Sequence, residues 1–270
     1  MRCVYVDLDG TLLGRGASLF RDADGAFTLL GARALEACAR TRTEVVPVSG
    51  RGRRALFEAT RLLGLDSYVA ELGSIVTLDG ESEFLTDPYQ PTETATVHHQ
   101  ITEAGAPALL LERYAGRLEP HDPWTHGREV THLLRGLVDG EEATALLAEH
   151  GPEHLRLIDN GLVHRRSAAL DGLPEVHAYH LLPRMASKAH GVARHMQMRG
   201  FDPADCIAVG DSVEDTGLAR VVDTLWIVAN GLERPGLREA LADHANVRVA
   251  EASNGAGVYE AVVTELAERR

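Results

Sequence analysis

Cysteine is scarce in this chain: three of 270 residues, Cys3, Cys38 and Cys206. An odd, scattered set in apolar segments offers neither a disulfide framework nor a metal-ligand spacing, and it reads as buried reduced thiols. Basic residues are outnumbered, 27 Lys and Arg against 40 Asp and Glu, for a formal charge of −13. With aromatics at only 5% and no aromatic-basic surface motif, a nucleic acid or an anionic membrane surface is a poor partner. Long apolar runs are missing too: none approaches the roughly 20 residues needed to cross a bilayer. Acids at positions 7 and 9 arrive before a signal-peptide core could form. The expectation is a cytoplasmic globular protein, a monomer or weak homo-oligomer, with 44% hydrophobic residues to build a core.

What the chain does have is alternation. Short apolar runs ("CVYVD", "EVVPVSG", "CIAVGDS", "TLWIVANG", "VRVA") trade places with segments of helical spacing ("GARALEACART", 53–63, "KAHGVARHMQMRG", "PGLREALADH", "GVYEAVVTELAER"). That is the pattern of βα units around a parallel sheet, and Gly200 is placed to end the helix before it. "SYVAELG" and "SIVTLDG" add short strands. Between about 81 and 178 the character changes: "DGEEATALLAEHG" is helical, but "VTHLLRGLV", "HLRLID" and "VHAYHLL" look like strands of a mixed layer, and most of the 13 histidines fall here. The expected fold class is α/β, a Rossmann-like parallel-sheet core with an inserted α+β cap domain. The core spans 1–80 and 179–270 and the cap 81–178, with boundaries good to roughly five residues.

The first strand ends on Asp7 and Asp9, two like charges one residue apart, and such a pair needs a reason. Parallel sheets bind ligands beyond the C-terminal ends of their strands. Four segments carry polar groups there: "DLDGT" at 7–11, "SGR" at 49–51, Lys188 heading a helix, and "GDSVED" at 210–215. Together they offer carboxylates, a hydroxyl, an ammonium and glycine-flanked amides, the inventory for holding Mg²⁺ and a phosphate side by side.

In this order and spacing the four segments resemble the motifs of the haloacid dehalogenase-like superfamily of phosphohydrolases, over nearly the whole chain. Between Thr11 and Ser49 there is room for a flap and one helix, whereas Ser49 to Lys188 leaves on the order of 100 residues beyond the core's needs, a small domain's worth. An insertion there, with "AELGS" before it and "SKAHG" after it, resembles the type IIB branch, whose members act mostly on sugar phosphates and other small phosphorylated metabolites.

The resemblance implies roles. Asp7 would be the nucleophile, forming an aspartyl phosphate, and Asp9 the general acid and base. Two neighbouring carboxylates in different surroundings can divide those tasks. Mg²⁺ would be held by Asp7, the backbone carbonyl of Asp9, and Asp211, with Asp215 steadying it directly or through water. Thr11 would position Asp9 or stabilise the phosphate loop. Ser49 and the Gly50 amide would hold phosphate oxygens, Arg51 would reach the substrate, and Lys188 would balance the charges of Asp7 and phosphate. The implied enzyme is a Mg²⁺-dependent phosphomonoesterase. Asp9 leaves a phosphomutase of the same fold as the alternative, although phosphomannomutases have a longer fourth motif. Glu214 stands where the branch usually has Asn; it is kept out of the core site, and it is the one feature favouring a catalytically inactive binding protein. A receiver domain, the other aspartyl-phosphate architecture, is half as long and has no insertion.

Other residues read more plainly. Arg53 and Arg54 read as surface residues, and His98 and His99 as solvated on a helix face. Asn230 and Asn254, each beside glycine, suit turns. The stretch 117–129, "RLEPHDPWTHGRE", reads as a substrate-selecting loop; His121, Asp122 and His126 within it lack the further ligands a zinc site needs.

Overall fold

The computed structural model describes residues 1–163 and 167–269. In chain order the first elements are β1 (Cys3–Val6), α1 (Leu30–Thr41), β2 (Glu44–Pro47), α2 (Arg53–Leu63), β3 (Ser67–Ala70), β4 (Ile75–Leu78) and β5 (Glu81–Phe84). Then come α3 (Val97–Glu103), α4 (Ala106–Arg113), β6 (Leu118–Pro120), β7 (His132–Gly136), α5 (Gly140–His150), β8 (Leu155–Leu162) and β9 (His177–Pro183). The chain closes with α6 (Lys188–Arg199), β10 (Cys206–Gly210), α7 (Val213–Thr216), β11 (Thr224–Ile227), α8 (Leu237–Leu241), β12 (Val247–Val249) and α9 (Asn254–Glu268).

Two compact units result. The first comprises Met1–Arg51, Leu56–Glu83 and Ser187–Arg270; the second comprises Gly52–Ala55 and Phe84–Ala186. The first unit is built on a parallel five-stranded sheet in the order β12-β11-β10-β1-β2. Its central strands are buried on both faces, which is why "CVYV" and "CIAVG" are continuously apolar instead of alternating. The three cysteines are free and buried, and Cys3 and Cys206 are register partners at the start of β1 and β10. On one face α1 packs against α9. A smaller sheet, β3-β4-β5, joins the large one through a parallel bridge between Val48 and Val69. Helix α6 starts on Ser187, whose side chain accepts from the His190 N–H, and ends at Gly200 in the left-handed conformation.

The second unit carries a four-stranded antiparallel sheet in the order β6-β7-β9-β8, with α5 packed on β8. Asp139 caps α5 by accepting from the Glu141 and Glu142 N–H groups. A parallel core and an antiparallel α+β layer are the fold class that the alternation predicts. No helix of the described residues is long and apolar enough to cross a membrane.

Candidate functional site

The site begins where β1 stops. The Asp7 N–H still donates into the sheet, to the Val209 carbonyl of β10 at 3.0 Å. Beyond it the chain turns back, with Leu12 N–H donating to the Asp7 carbonyl at 3.1 Å and Leu13 N–H to that of Leu8 at 2.9 Å. Gly10, at the tip, has φ +95°, and a Cβ there would collide with the Asp211 carboxylate. The turn therefore presses against the end of β10, where Asp211 follows Gly210.

Four buried ionisable side chains meet at this point. Asp7 is 6% exposed, Lys188 3%, and Asp211 and Asp215 0%. The Lys188 Nζ donates to Asp7 Oδ1 and Asp215 Oδ1, both at 2.7 Å. The other oxygen of Asp215 accepts from the Asp211 N–H at 3.1 Å, the Ser212 N–H at 3.0 Å and the Ser212 hydroxyl at 2.6 Å. Asp211 accepts from the Thr11 hydroxyl at 2.7 Å. Of the two expectations for Thr11, positioning Asp9 or stabilising the loop, its bond to Asp211 fits the second: the turn carries its hydroxyl to the neighbouring strand end.

Three carboxylates against the Lys188 ammonium and the part-exposed Arg234 guanidinium at Asp211 leave an acid excess in a low-dielectric place. Burial pushes the Asp7 carboxyl well above the usual carboxylate range; Lys188 opposes this, while Asp215 and Asp211 reinforce it. Burial also raises Asp211, against the pull of Arg234. Asp215 goes the other way: burial works against its charge, but Lys188, Ser212 and the Asp211 N–H outweigh it and hold the pKa low. Burial works against the Lys188 charge as well, yet Asp215 and Asp7 keep its pKa above the ordinary lysine value. One oxygen from each of Asp7, Asp211 and Asp215 lies within 4.8 Å of the others, a group of hard donors that can hold a metal ion. Burial raises two of these carboxyls and the neighbouring aspartates add to it, so the set of hard oxygen donors fits a cation on electrostatic grounds.

Asp9 lies outside this cluster. Its side chain is 51% exposed and takes the fork of Arg51, Nε to Oδ2 at 2.7 Å and Nη2 to Oδ1 at 2.6 Å. Arg51 belongs to the 49–51 turn, where its own N–H donates to the Ser49 hydroxyl at 3.2 Å. Ser49 is 1% exposed and Gly50 half-buried. That turn is braced from behind: the Glu71 and Leu72 N–H groups donate to the Arg51 and Ser49 carbonyls at 3.0 and 3.1 Å. Glu71 and Leu72 have φ +48° and +57°, a conformation costing on the order of 1–3 kcal/mol each for such residues and characteristic of functional sites. The next residue, Gly73, has φ +90° and packs on the Ser187 carbonyl just before Lys188, a place no Cβ could occupy. A single strained turn thus links the second segment to the third.

Three contributors escape a reading of the sequence. Arg234 donates to Asp211 Oδ2. Asn230 and Asn254 both donate through Nδ2 to the Gly10 carbonyl, at 2.8 and 2.7 Å, and the Asn254 N–H donates to Asn230 Oδ1 at 2.9 Å. Asn-Gly signalled turns there; Asn230 instead lies in a short 3-10 helix, Ala229–Glu233, and Asn254 opens α9, and nothing local signals that their side chains clamp the first loop. Glu214 is half-buried on α7, next to Asp215.

In the second unit Trp124 is 62% exposed, and Asp122 pairs with His126 at 3.3 Å. Among the described residues the only group with metal-ligand geometry is Asp7, Asp211 and Asp215. Arg54 is exposed, while Arg53 pairs with Glu129 at 2.8 Å. His98 corrects the expectation of a solvated pair: it stacks on His132 with ring centroids 3.6 Å apart. Burial and the neighbouring His98 lower the His132 pKa to about 4.

No family model matches the chain. Its curated relatives include a phosphoglycolate phosphatase of Methanococcoides burtonii, 23% identical over 264 residues, covering 97% of this chain and 95% of the relative. Another, a phosphoglycolate phosphatase of Halorubrum lacusprofundi, is 28% identical over 218 residues, 77% of this chain and 82% of the relative. Among solved structures, the sucrose-phosphatase of a Synechocystis species, in complex with sucrose and phosphate, superposes with a TM-score of 0.67 at 17% identity over 98% of both chains. A haloacid dehalogenase-like hydrolase from Bacteroides thetaiotaomicron gives 0.64 at 12% identity, over 98% of this chain and 99% of that one.

Proposed function

The chain has the fold of the cap-bearing haloacid dehalogenase-like hydrolases, and from that premise we propose that it is a Mg²⁺-dependent phosphomonoesterase of a small phosphorylated metabolite. The observation that carries the reading is the Lys188 ammonium bridging Asp7 and Asp215 beside Asp211. Such a buried, over-acidic cluster costs stability and is built for a cation and an anion together.

Asp7 is the nucleophile. Its carboxylate oxygen attacks phosphorus, the bond from phosphorus to the leaving oxygen breaks, and Asp9 delivers a proton to the departing alcohol. Asp9 then takes a proton from water, whose oxygen attacks phosphorus; the bond from phosphorus to the Asp7 oxygen breaks, and inorganic phosphate and free Asp7 result. Asp7 and Asp211, with Asp215 in support and the Asp9 backbone carbonyl beside them, would hold the Mg²⁺, which when bound would supply a positive field to offset repulsion between Asp7 and phosphate. Lys188 adds a fixed charge to that field.

Arg51 has two tasks. Its fork occupies both oxygens of Asp9, the atoms that proton transfer needs. A phosphate group offers the same bidentate geometry, so Arg51 passing to substrate frees Asp9 as the reaction begins. Ser49 and the Gly50 amide complete the phosphate cradle. Selection of the leaving group falls to the inserted cap, which the sequence reading places at 81–178. Phosphoglycolate, the substrate in the relatives' names, and sugar phosphates, given the sucrose-phosphatase neighbour, head the candidates.

The test is phosphate release from phosphoglycolate, sugar phosphates, polyol phosphates, phosphoglycerates and nucleotides, with Mg²⁺ or EDTA. Mg²⁺-dependent release that prefers one class is the expected result. No release from any member by folded, metal-binding protein would contradict a phosphatase and turn attention to Glu214.

A further inference from the structure

Asp211 is fully buried and holds two partners, and one of them is a cation that the sequence motifs do not include. Arg234 reaches Asp211 Oδ2 from the turn after β11, and its position is fixed from two sides. The Arg234 N–H donates to the Gly231 carbonyl at 2.9 Å, and Asn230, one residue earlier, donates to the Gly10 carbonyl at 2.8 Å. Arg234 Nη2 comes so close to Gly10 that a Cβ there would lie 2.9 Å from it. The guanidinium is delivered by a clamped turn into the space that glycine leaves open. Yet its side chain is 36% exposed, against 1% for Asp211, so it has a route back to solvent that Lys188 lacks.

We infer that Arg234 is a resident cation of the metal site: in metal-free protein its guanidinium holds Asp211, and a divalent ion must take that carboxylate from it. The inference rests on the proposed role of Asp7, Asp211 and Asp215 as metal ligands. Two effects have the same sign. Arg234 competes directly for Asp211 Oδ2, and its charge, a few ångströms from any ion held there, repels that ion in a poorly screened setting. Arg234 is therefore a positioning residue that holds Asp211 ready and sets how tightly the site takes metal. Lys188 cannot share this task, because its ammonium is buried and bonded to Asp7 and Asp215.

The experiment titrates EDTA-stripped, dialysed protein with MgCl₂ by calorimetry and with MnCl₂ by electron paramagnetic resonance, in the absence of substrate. Arg234→Gln removes the charge and should bind either ion about tenfold more tightly than wild type. Its metal-free form should melt at a lower temperature, since a buried carboxylate loses its partner, and saturating Mg²⁺ should close that gap. Arg234→Lys keeps the charge but replaces the guanidinium contact through Nη2 with a shorter, more strongly hydrated ammonium that releases Asp211 more readily. It should bind about threefold more tightly, and it carries the test alone if Arg234→Gln does not fold. Unchanged or weaker binding by the folded variants, with wild type binding normally, overturns the inference and leaves the metal site standing. No binding by wild type overturns the metal site and the inference together.

Discussion

Helix α6 brings a cation to each end of the parallel sheet, and the two ends use it differently. At the helix start, Lys188 enters a cluster of three carboxylates. At its last turn, Arg199 meets Glu44 at the start of β2, with Nη2 to Oε1 at 3.0 Å. Glu44 also accepts from the Ser67 hydroxyl at 2.9 Å and lies 3.6 Å from His195, while Asp79 takes the other side of Arg199 at 3.1 Å. Burial works against the Glu44 charge, but His195, Ser67 and Arg199 outweigh it and lower the pKa to about 2. Asp7 and Asp211 are pushed the opposite way. Matched charges hold an acid ionised and lock the sheet; an acid excess strains against burial and leaves a demand for a cation. The first arrangement is structural and the second belongs to a site.

Breaking the contrast at the acid end gives the largest effect. Asp7→Asn should lower kcat by at least ~10⁴-fold while leaving the thermal midpoint of metal-free protein unchanged or higher, because it removes one repelling charge. A steady-state assay paired with a melting curve reads both. Lys188→Met should do the reverse in the absence of metal: two buried carboxylates lose their counter-ion, and stability should fall by about 3–5 kcal/mol. Urea denaturation with and without Mg²⁺ measures this, with partial recovery expected when the metal is present.

Asn254→Gly keeps a backbone whose φ is +49° and deletes the side-chain hold on the Gly10 and Leu13 carbonyls. A loosened first loop should cost about tenfold in kcat with little change in melting temperature. At the structural end, Glu44→Gln should cost about 1 kcal/mol at neutral pH. Because the folded pKa of Glu44, about 2, lies below the ordinary value of 4.5, its contribution is present above that value and is lost as pH falls through it toward 2. The variant should therefore show a flatter loss of stability across that acid window.

The contrast also marks what could be read beforehand. Strands and helices of the parallel unit announce themselves by period, and α2 spans the predicted 53–63, because each element's apolar pattern is local. Asp7, Asp9, Lys188 and the Gly-Asp segment stand out for the same reason: each sits where a strand or helix pattern ends. What stayed hidden depends on distance. Thr11 meets Asp211 across 200 positions, Asn254 meets Gly10 across 244, and Arg234 meets Asp211 across 23; no residue type near any of them hints at the partner. Helices α3 and α4 in the second unit are 7 and 8 residues long, too short for a helical period to show. The His98–His132 stack was equally invisible, since it joins a helix to a strand of the antiparallel sheet.

The central claim is that Asp7, and not its exposed neighbour Asp9, takes the phosphoryl group. Acid quenching during turnover of the best substrate, followed by peptide mass spectrometry, tests it directly. The account predicts one phosphoryl group on the peptide bearing residues 3–13, assigned to Asp7 by fragmentation and lost in Asp7→Asn. Phosphoryl on Asp9, on another residue, or on none while turnover proceeds would contradict it.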